Sequence, residues 1–118
     1  TKYRGHYRGN WESRNNAYHN GTVWPWLQGF FVAAFLKTKN HEEASRGYAF
    51  QKFLHPLFKD QILQAGLGTV SEVMDGDAPH SPSGCISQAW SVAEPLRAFI
   101  EDILMNTPPY AQQVLKEL

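Results

Sequence analysis

The sequence predicts an all-α chain of three long helices and a short C-terminal one, with a long functional loop between the second and third. Three observations carry this. First, VWPWLQGFFVAAFLK (23–37) is apolar around the whole circumference of a helix. Second, residues 40–63 and 85–105 place apolar side chains at helical spacing among polar ones. Third, residues 64–84 are punctuated by glycine and proline and hold Glu72, Asp75 and Asp77, a composition that suits a loop.

Residues 1–21 are polar and aromatic, interrupted by Gly5, Gly9 and Gly21, and read as irregular. The first long helix starts at Thr22 as N-cap. Pro25 falls in its opening turn, where a missing amide costs nothing, and the helix runs to Lys37. The second, Asn40 to Leu63, opens on an asparagine cap, with Glu42 and Glu43 near its positive end. Its apolar residues are Ala44, Tyr48, Phe50, Phe53, Leu54, Leu57 and Phe58, and Pro56 predicts a kink. The third, Cys85 to Met105, carries Ile86, Trp90, Val92, Leu96, Phe99, Ile100 and Ile103. Pro95 predicts either a bend there or a later start, with Ser91 and Glu94 as a capping box. After Pro108 and Pro109 a short helix, Tyr110 to Glu117, closes the chain.

A helix that is apolar all round must be surrounded by protein, and so few helices do not easily surround one. The chain therefore reads as a single fragment, residues 1–118, of a larger helical array, or as an oligomer. Its opening on Thr rather than Met fits an excised piece. A self-contained orthogonal bundle is the alternative. An excised piece is expected to be marginally stable or to self-associate through the uncovered face of Val23 to Leu36.

The totals exclude several classes. At 118 residues there is room for one domain at most. Apolar residues make up 42% and charged residues 19%, which argues against disorder. Eleven basic side chains balance eleven acidic ones, leaving no electrostatic reason to expect nucleic acid or an anionic membrane as partner. No run reaches the ~20 apolar residues of a membrane span, and no leader peptide is visible. One cysteine, Cys85, forms no internal disulfide, so nothing points to an oxidising compartment and the cytoplasm is the expected location. Cys85 reads as a buried small hydrophobe, because no basic side chain lies near in sequence to lower its pKa.

Three clusters carry chemistry. In GLGTVSEVMDGDAPH (66–80), Leu67, Val70, Val73 and Met74 anchor the loop while Pro79 and Pro82 stiffen the part that follows. An anchored loop holds a carboxylate in place, as acid–base chemistry requires. Glu72 is the favoured acid, and burial among its neighbours would raise its pKa or fix its rotamer. For Glu72 alone, the surface-carboxylate reading outweighs the catalytic one. Asp75 and Asp77 bracket Gly76 as a solvated turn would, and their spacing falls short of a calcium loop. In AYHNGTVWPW (17–26), Tyr18, His19, Asn20, Trp24 and Trp26 set hydrogen-bonding groups beside two indoles. Indole faces stack on the C–H face of a sugar; the alternative is that both tryptophans are core. In GCISQAWSVAE (84–94), Gln88 and Trp90 stand at a helix start beside the acidic loop.

In this order, AYHNGTVWPWLQGFF, GLGTVSEVMDGDAPHSPSGC and CISQAWSVAEPLRA resemble the C-terminal catalytic domain of glycogen debranching enzymes, the amylo-α-1,6-glucosidase family. The matching stretches span most of residues 17–98; residues 1–10 and 99–118 carry no matching motif. The resemblance implies an (α/α)6 toroid, of which this chain is the C-terminal part and the remaining helices are partners. It implies hydrolysis of the α-1,6-linked glucose at a glycogen branch point, by inversion between two carboxyl groups and without a cofactor or metal. Glu72 takes the place of the general base; no segment here matches the family's general acid, an upstream Asp. His19, Asn20, Trp24 and Trp26 would line the glucose pocket with Gln88 and Trp90 opposite, and Asp75 would orient Glu72 or bind a sugar hydroxyl. One departure is SRNN (13–16), where the family often carries an acid shortly before its Tyr-His pair. The competing readings are another (α/α)6 glycosidase, trehalase-like or glucosylglycerate hydrolase-like, and a glucan-binding module with no use for Glu72. Motif wording favours debranching.

Overall fold

The computed structural model describes residues 2–117. It is all-α apart from one small antiparallel ribbon. In chain order the helices are α1 (Trp11–Tyr18), α2 (Leu27–Thr38), α3 (Glu43–Ala49), α4 (His55–Asp60), α5 (Ala89–Arg97) and α6 (Ala111–Glu117). A π-helical segment, Phe50–Leu54, joins α3 to α4, and a second, Ala98–Ile103, continues α5. The ribbon pairs β1 (Val73–Met74) with β2 (Pro82–Ser83).

The fold differs from the sequence expectation at its helix starts. Residues 1–21 are not wholly irregular, since α1 forms there with Asn10 as N-cap, its side chain accepting from the Ser13 N–H at 2.9 Å. The first long helix begins at Leu27, not Thr22. The Thr22 hydroxyl donates to the Ala17 carbonyl at 2.9 Å, and Val23 exchanges backbone hydrogen bonds with Met74 at 2.9 Å each. A long-range bridge to the acidic loop thus takes the backbone that a longer helix would have used.

Asn40 is not a cap for the next helix. With φ 50° it stands just beyond the end of α2, and Glu42 takes the N-cap position of α3. At Pro56, where a kink was expected, the helical run is unbroken but changes type: with no N–H to offer, Pro56 follows directly on the π segment, where the His55 N–H reaches back to Phe50. The third long helix starts at Ala89 with Gln88 at its N-cap, so Ser91 is a buried residue inside it and no capping box forms at Ser91. Residues 84–88 are instead drawn toward the loop: the Gln88 N–H bonds Val70 O at 3.0 Å, and the Glu72 N–H bonds Cys85 O at 2.9 Å.

The main core gathers Val32, Leu36, Ala49, Leu54, Ala98 and Ile103, with Phe35, Phe50, Phe53, Phe58 and Phe99 packed around them. α2 lies against α5, and Gly29 allows the close approach, because a Cβ there would stand 2.6 Å from the Glu94 carbonyl oxygen. A smaller cluster of Leu57, Val70 and Met74, with Ile62 and Val92, fastens the acidic loop to the helices. Val73 is also buried, but Leu67 is 91% exposed and anchors nothing.

As expected of so few helices, α2 is enclosed on one side only. Val32 and Leu36 are fully buried, while Leu27, Phe30 and Phe31 are each about half exposed. No helix among the described residues is long and apolar enough to cross a membrane.

Candidate active site

Glu72 stands just before β1, at the point where the loop is pinned from both sides. Its backbone N–H goes to the Cys85 carbonyl, and its side chain receives two hydrogen bonds. The Tyr18 hydroxyl donates to Oε1 at 2.5 Å, and the Cys85 N–H donates to Oε2 at 3.0 Å. These donors favour the charged form, Tyr18 most, and hold the carboxyl below its ordinary pKa of 4.5 against a smaller opposing effect of burial. The direction is opposite to the rise that burial alone would give; the second half of that expectation, a fixed rotamer, follows from the two donors. Tyr18 responds reciprocally. The bond to Glu72, then burial, then the carboxylate charge push its phenol up to about 12.

Gly84 makes this arrangement possible. Its φ is +72°, and a Cβ on it would lie 2.6 Å from Glu72 Oε2. Glycine therefore provides both the turn and the room for the carboxylate. Cys85 is exposed, not buried as expected; its backbone rather than its thiol serves the site.

Tyr18 joins Glu72 to an aromatic cluster. Its ring packs edge-on against Trp24 at 4.6 Å and His19 at 4.9 Å, and its carbonyl accepts from Trp24 Nε1 at 3.0 Å. His19 and Trp24 are parallel within 3° at 5.6 Å. Trp26 stacks on Trp90 at 5.4 Å, and Trp24 meets Trp90 edge-on at 6.2 Å. His19, Trp24, Trp26, Trp90 and Leu27 line an open hollow of about 210 Å³. Such a surface offers flat apolar faces with an imidazole at the edge, which suits a sugar ring. A second, smaller hollow of about 140 Å³ is lined by Tyr7, Trp11, Arg14, Asn15 and Tyr18, so Asn15 of SRNN lies on the other side of Tyr18.

Three of the sequence candidates lie elsewhere. Asn20 turns its amide back onto the Asn16 carbonyl at 2.7 Å and does not line the aromatic hollow. Gln88 is partly buried at the head of α5 and also does not line it. Asp75 is fully buried and neither touches Glu72 nor is free for a sugar hydroxyl. Its Oδ1 accepts from the Tyr7 N–H at 2.8 Å, and its Oδ2 is shared by Arg8 Nη2 and His6 Nδ1, each at 3.0 Å. Burial opposes its charge, but the bonds from His6, Tyr7 and Arg8 outweigh it and keep the pKa below the ordinary 3.8. Asp77 extends the same clamp, accepting from the Tyr3 hydroxyl at 2.9 Å and standing 3.6 Å from His6 Nε2.

Sequence reading placed Tyr18 in the hydrogen-bonding cluster beside the indoles but not on the acid, read Gly84 only as a turn residue, and missed the 3–8 arm. One signal was available for the arm: the basic side chains His6 and Arg8 in a chain whose acidic loop holds two aspartates, three and five positions beyond Glu72. Among the described residues no group of three or more His, Cys, Asp or Glu side chains is placed to hold a metal ion.

A family model described as amylo-alpha-1,6-glucosidase matches residues 1–97. The match takes in residues 1–10, which carried no matching motif in the sequence. No curated protein and no solved structure matches the chain.

Proposed function

The chain belongs to the amylo-alpha-1,6-glucosidase family, and on that premise we propose that it supplies the general base and part of the sugar pocket of an inverting glycoside hydrolase acting on α-1,6-linked glucose at glycogen branch points. Glu72 takes a proton from a water molecule as that water's oxygen bonds to the anomeric carbon. The glycosidic C–O bond breaks on the opposite face, its oxygen protonated by a second carboxylic acid about 6.5–9.5 Å away, contributed by a part of the domain outside these residues. His19, Trp24, Trp26 and Trp90 hold the glucose. The half-exposed face of α2, with Leu27, Phe30 and Phe31, is covered by further helices of an (α/α)6 toroid.

The observation that carries this reading is the Glu72 carboxylate, kept ionised by two donors and joined through Tyr18 to the aromatic hollow. A base must be unprotonated at working pH and fixed beside its substrate, and the two donors on Glu72 with its link to the aromatic cluster support that reading. The test is Glu72→Gln in the complete domain that carries the acid. Hydrolysis should fall by at least ~100-fold while binding of an α-glucan is retained. Unchanged hydrolysis would leave a binding module as the better reading.

A further inference from the structure

We infer that Tyr18 is the positioning residue of this site: its hydroxyl sets the orientation of Glu72 while its ring and carbonyl fix Trp24, so that base and sugar platform are aligned by one residue. The inference rests on the general-base reading of Glu72. Four contacts converge on Tyr18. The hydroxyl donates to Glu72 Oε1 at 2.5 Å, the carbonyl accepts from Trp24 Nε1 at 3.0 Å, and the ring meets Trp24 at 4.6 Å and His19 at 4.9 Å. Tyr18 ends α1, a helix capped by Asn10, and is followed by the Thr22 hydroxyl bond to Ala17, so its backbone is held on both sides. Because the Cys85 N–H takes Oε2, each carboxylate oxygen has one donor and keeps one lone-pair direction open. The open direction is where a water would be held and deprotonated.

The other titratable groups around the pair are Tyr7, whose ring lies 5.6 Å from Tyr18, the Cys85 thiol, and His19. Of these only the Cys85 thiol adds to the lowering of the Glu72 pKa, as the smallest contribution, so removing the Tyr18 hydroxyl removes the largest one.

Tyr18→Phe keeps the ring against Trp24 and deletes only the hydroxyl. In the complete hydrolase, the acid limb of the kcat/KM profile should move to higher pH, because Glu72 loses the donor that favoured its charge. kcat should fall about tenfold with KM little changed, as expected for a misaligned base. A wild-type acid limb and wild-type kcat in this variant would overturn the inference even if Glu72→Gln abolishes hydrolysis. Independent of turnover, carbon NMR of the tyrosine rings in the Glu72→Gln chain should show the Tyr18 phenol titrating well below about 12, toward the ordinary 10.0. A Tyr18 titration that Glu72→Gln leaves in place would also overturn it. Should Glu72→Gln leave hydrolysis intact while the Tyr18 titration moves, the pair is real but the base reading, and this inference with it, fails.

Discussion

Glu72 and Asp75 sit three residues apart in one loop, and both have pKa values held below the ordinary carboxylate range. Their surroundings are opposite. Asp75 is sealed from solvent under the arm of residues 6–8, with both oxygens taken by an arginine, a histidine and a backbone amide. Glu72 is only partly buried, has one donor per oxygen and is linked through Tyr18 to Trp24, which lines an open aromatic hollow. A lowered pKa alone does not separate a structural acid from a reactive one. What separates them is whether anything outside the protein can reach the oxygens.

This contrast predicts that the two acids fail in different ways. Asp75→Asn should destabilise the chain by about 3 kcal/mol, because a buried acceptor of charge-assisted bonds is lost and the Tyr7 N–H faces an amide. Urea unfolding reads this directly, and a loss below about 1 kcal/mol would break the distinction. Gly84→Ala comes next. Left-handed strain should cost about 1 kcal/mol of stability, and the displaced Glu72 carboxylate should lower kcat by roughly tenfold or more in the complete hydrolase. Wild-type kcat in that variant would show that the Glu72 rotamer does not depend on Gly84.

Acid titration gives a smaller signal. The folded-state pKa of Asp75 lies below its ordinary 3.8, so its stabilisation is fully present above that value and disappears as pH falls through the folded pKa. Unfolding free energies measured from pH 5 to pH 2.5 should therefore decline more steeply for wild type than for Asp75→Asn. The smallest expected effect is Glu72→Gln on stability, within about 1 kcal/mol, since a glutamine oxygen can still accept from Tyr18 or Cys85. A large loss there would make Glu72 a structural acid like its neighbour.

The sequence disclosed what local pattern controls. Residues 27–38 were legible as helix from their apolar run, and the tryptophans as a group because three of them lead into helices. It hid what depends on distant partners. The start of α2 was misread because Val23 pairs with Met74, fifty-one positions away, and no local signal marks that bridge. α1 was missed because WESRNNAY presents no apolar stripe and buries only Ala17. Asp75 looked like a turn residue because its partners lie 67 to 69 positions upstream. Glu72 was legible as the notable acid, but its donors were not: one is a phenol 54 positions away and the other a backbone amide.

The π-helical segments at Phe50–Leu54 and Ala98–Ile103 bear on how chains of this kind can change length. Deleting one residue from an ordinary α-helix rotates everything beyond it by about 100°, which turns a packed face into solvent. A π segment already holds a surplus residue, so losing one there closes it into an α-helix with the flanking faces still in register. These two places should therefore tolerate single-residue deletions in related sequences, while α2, which has no such slack, should keep a constant length.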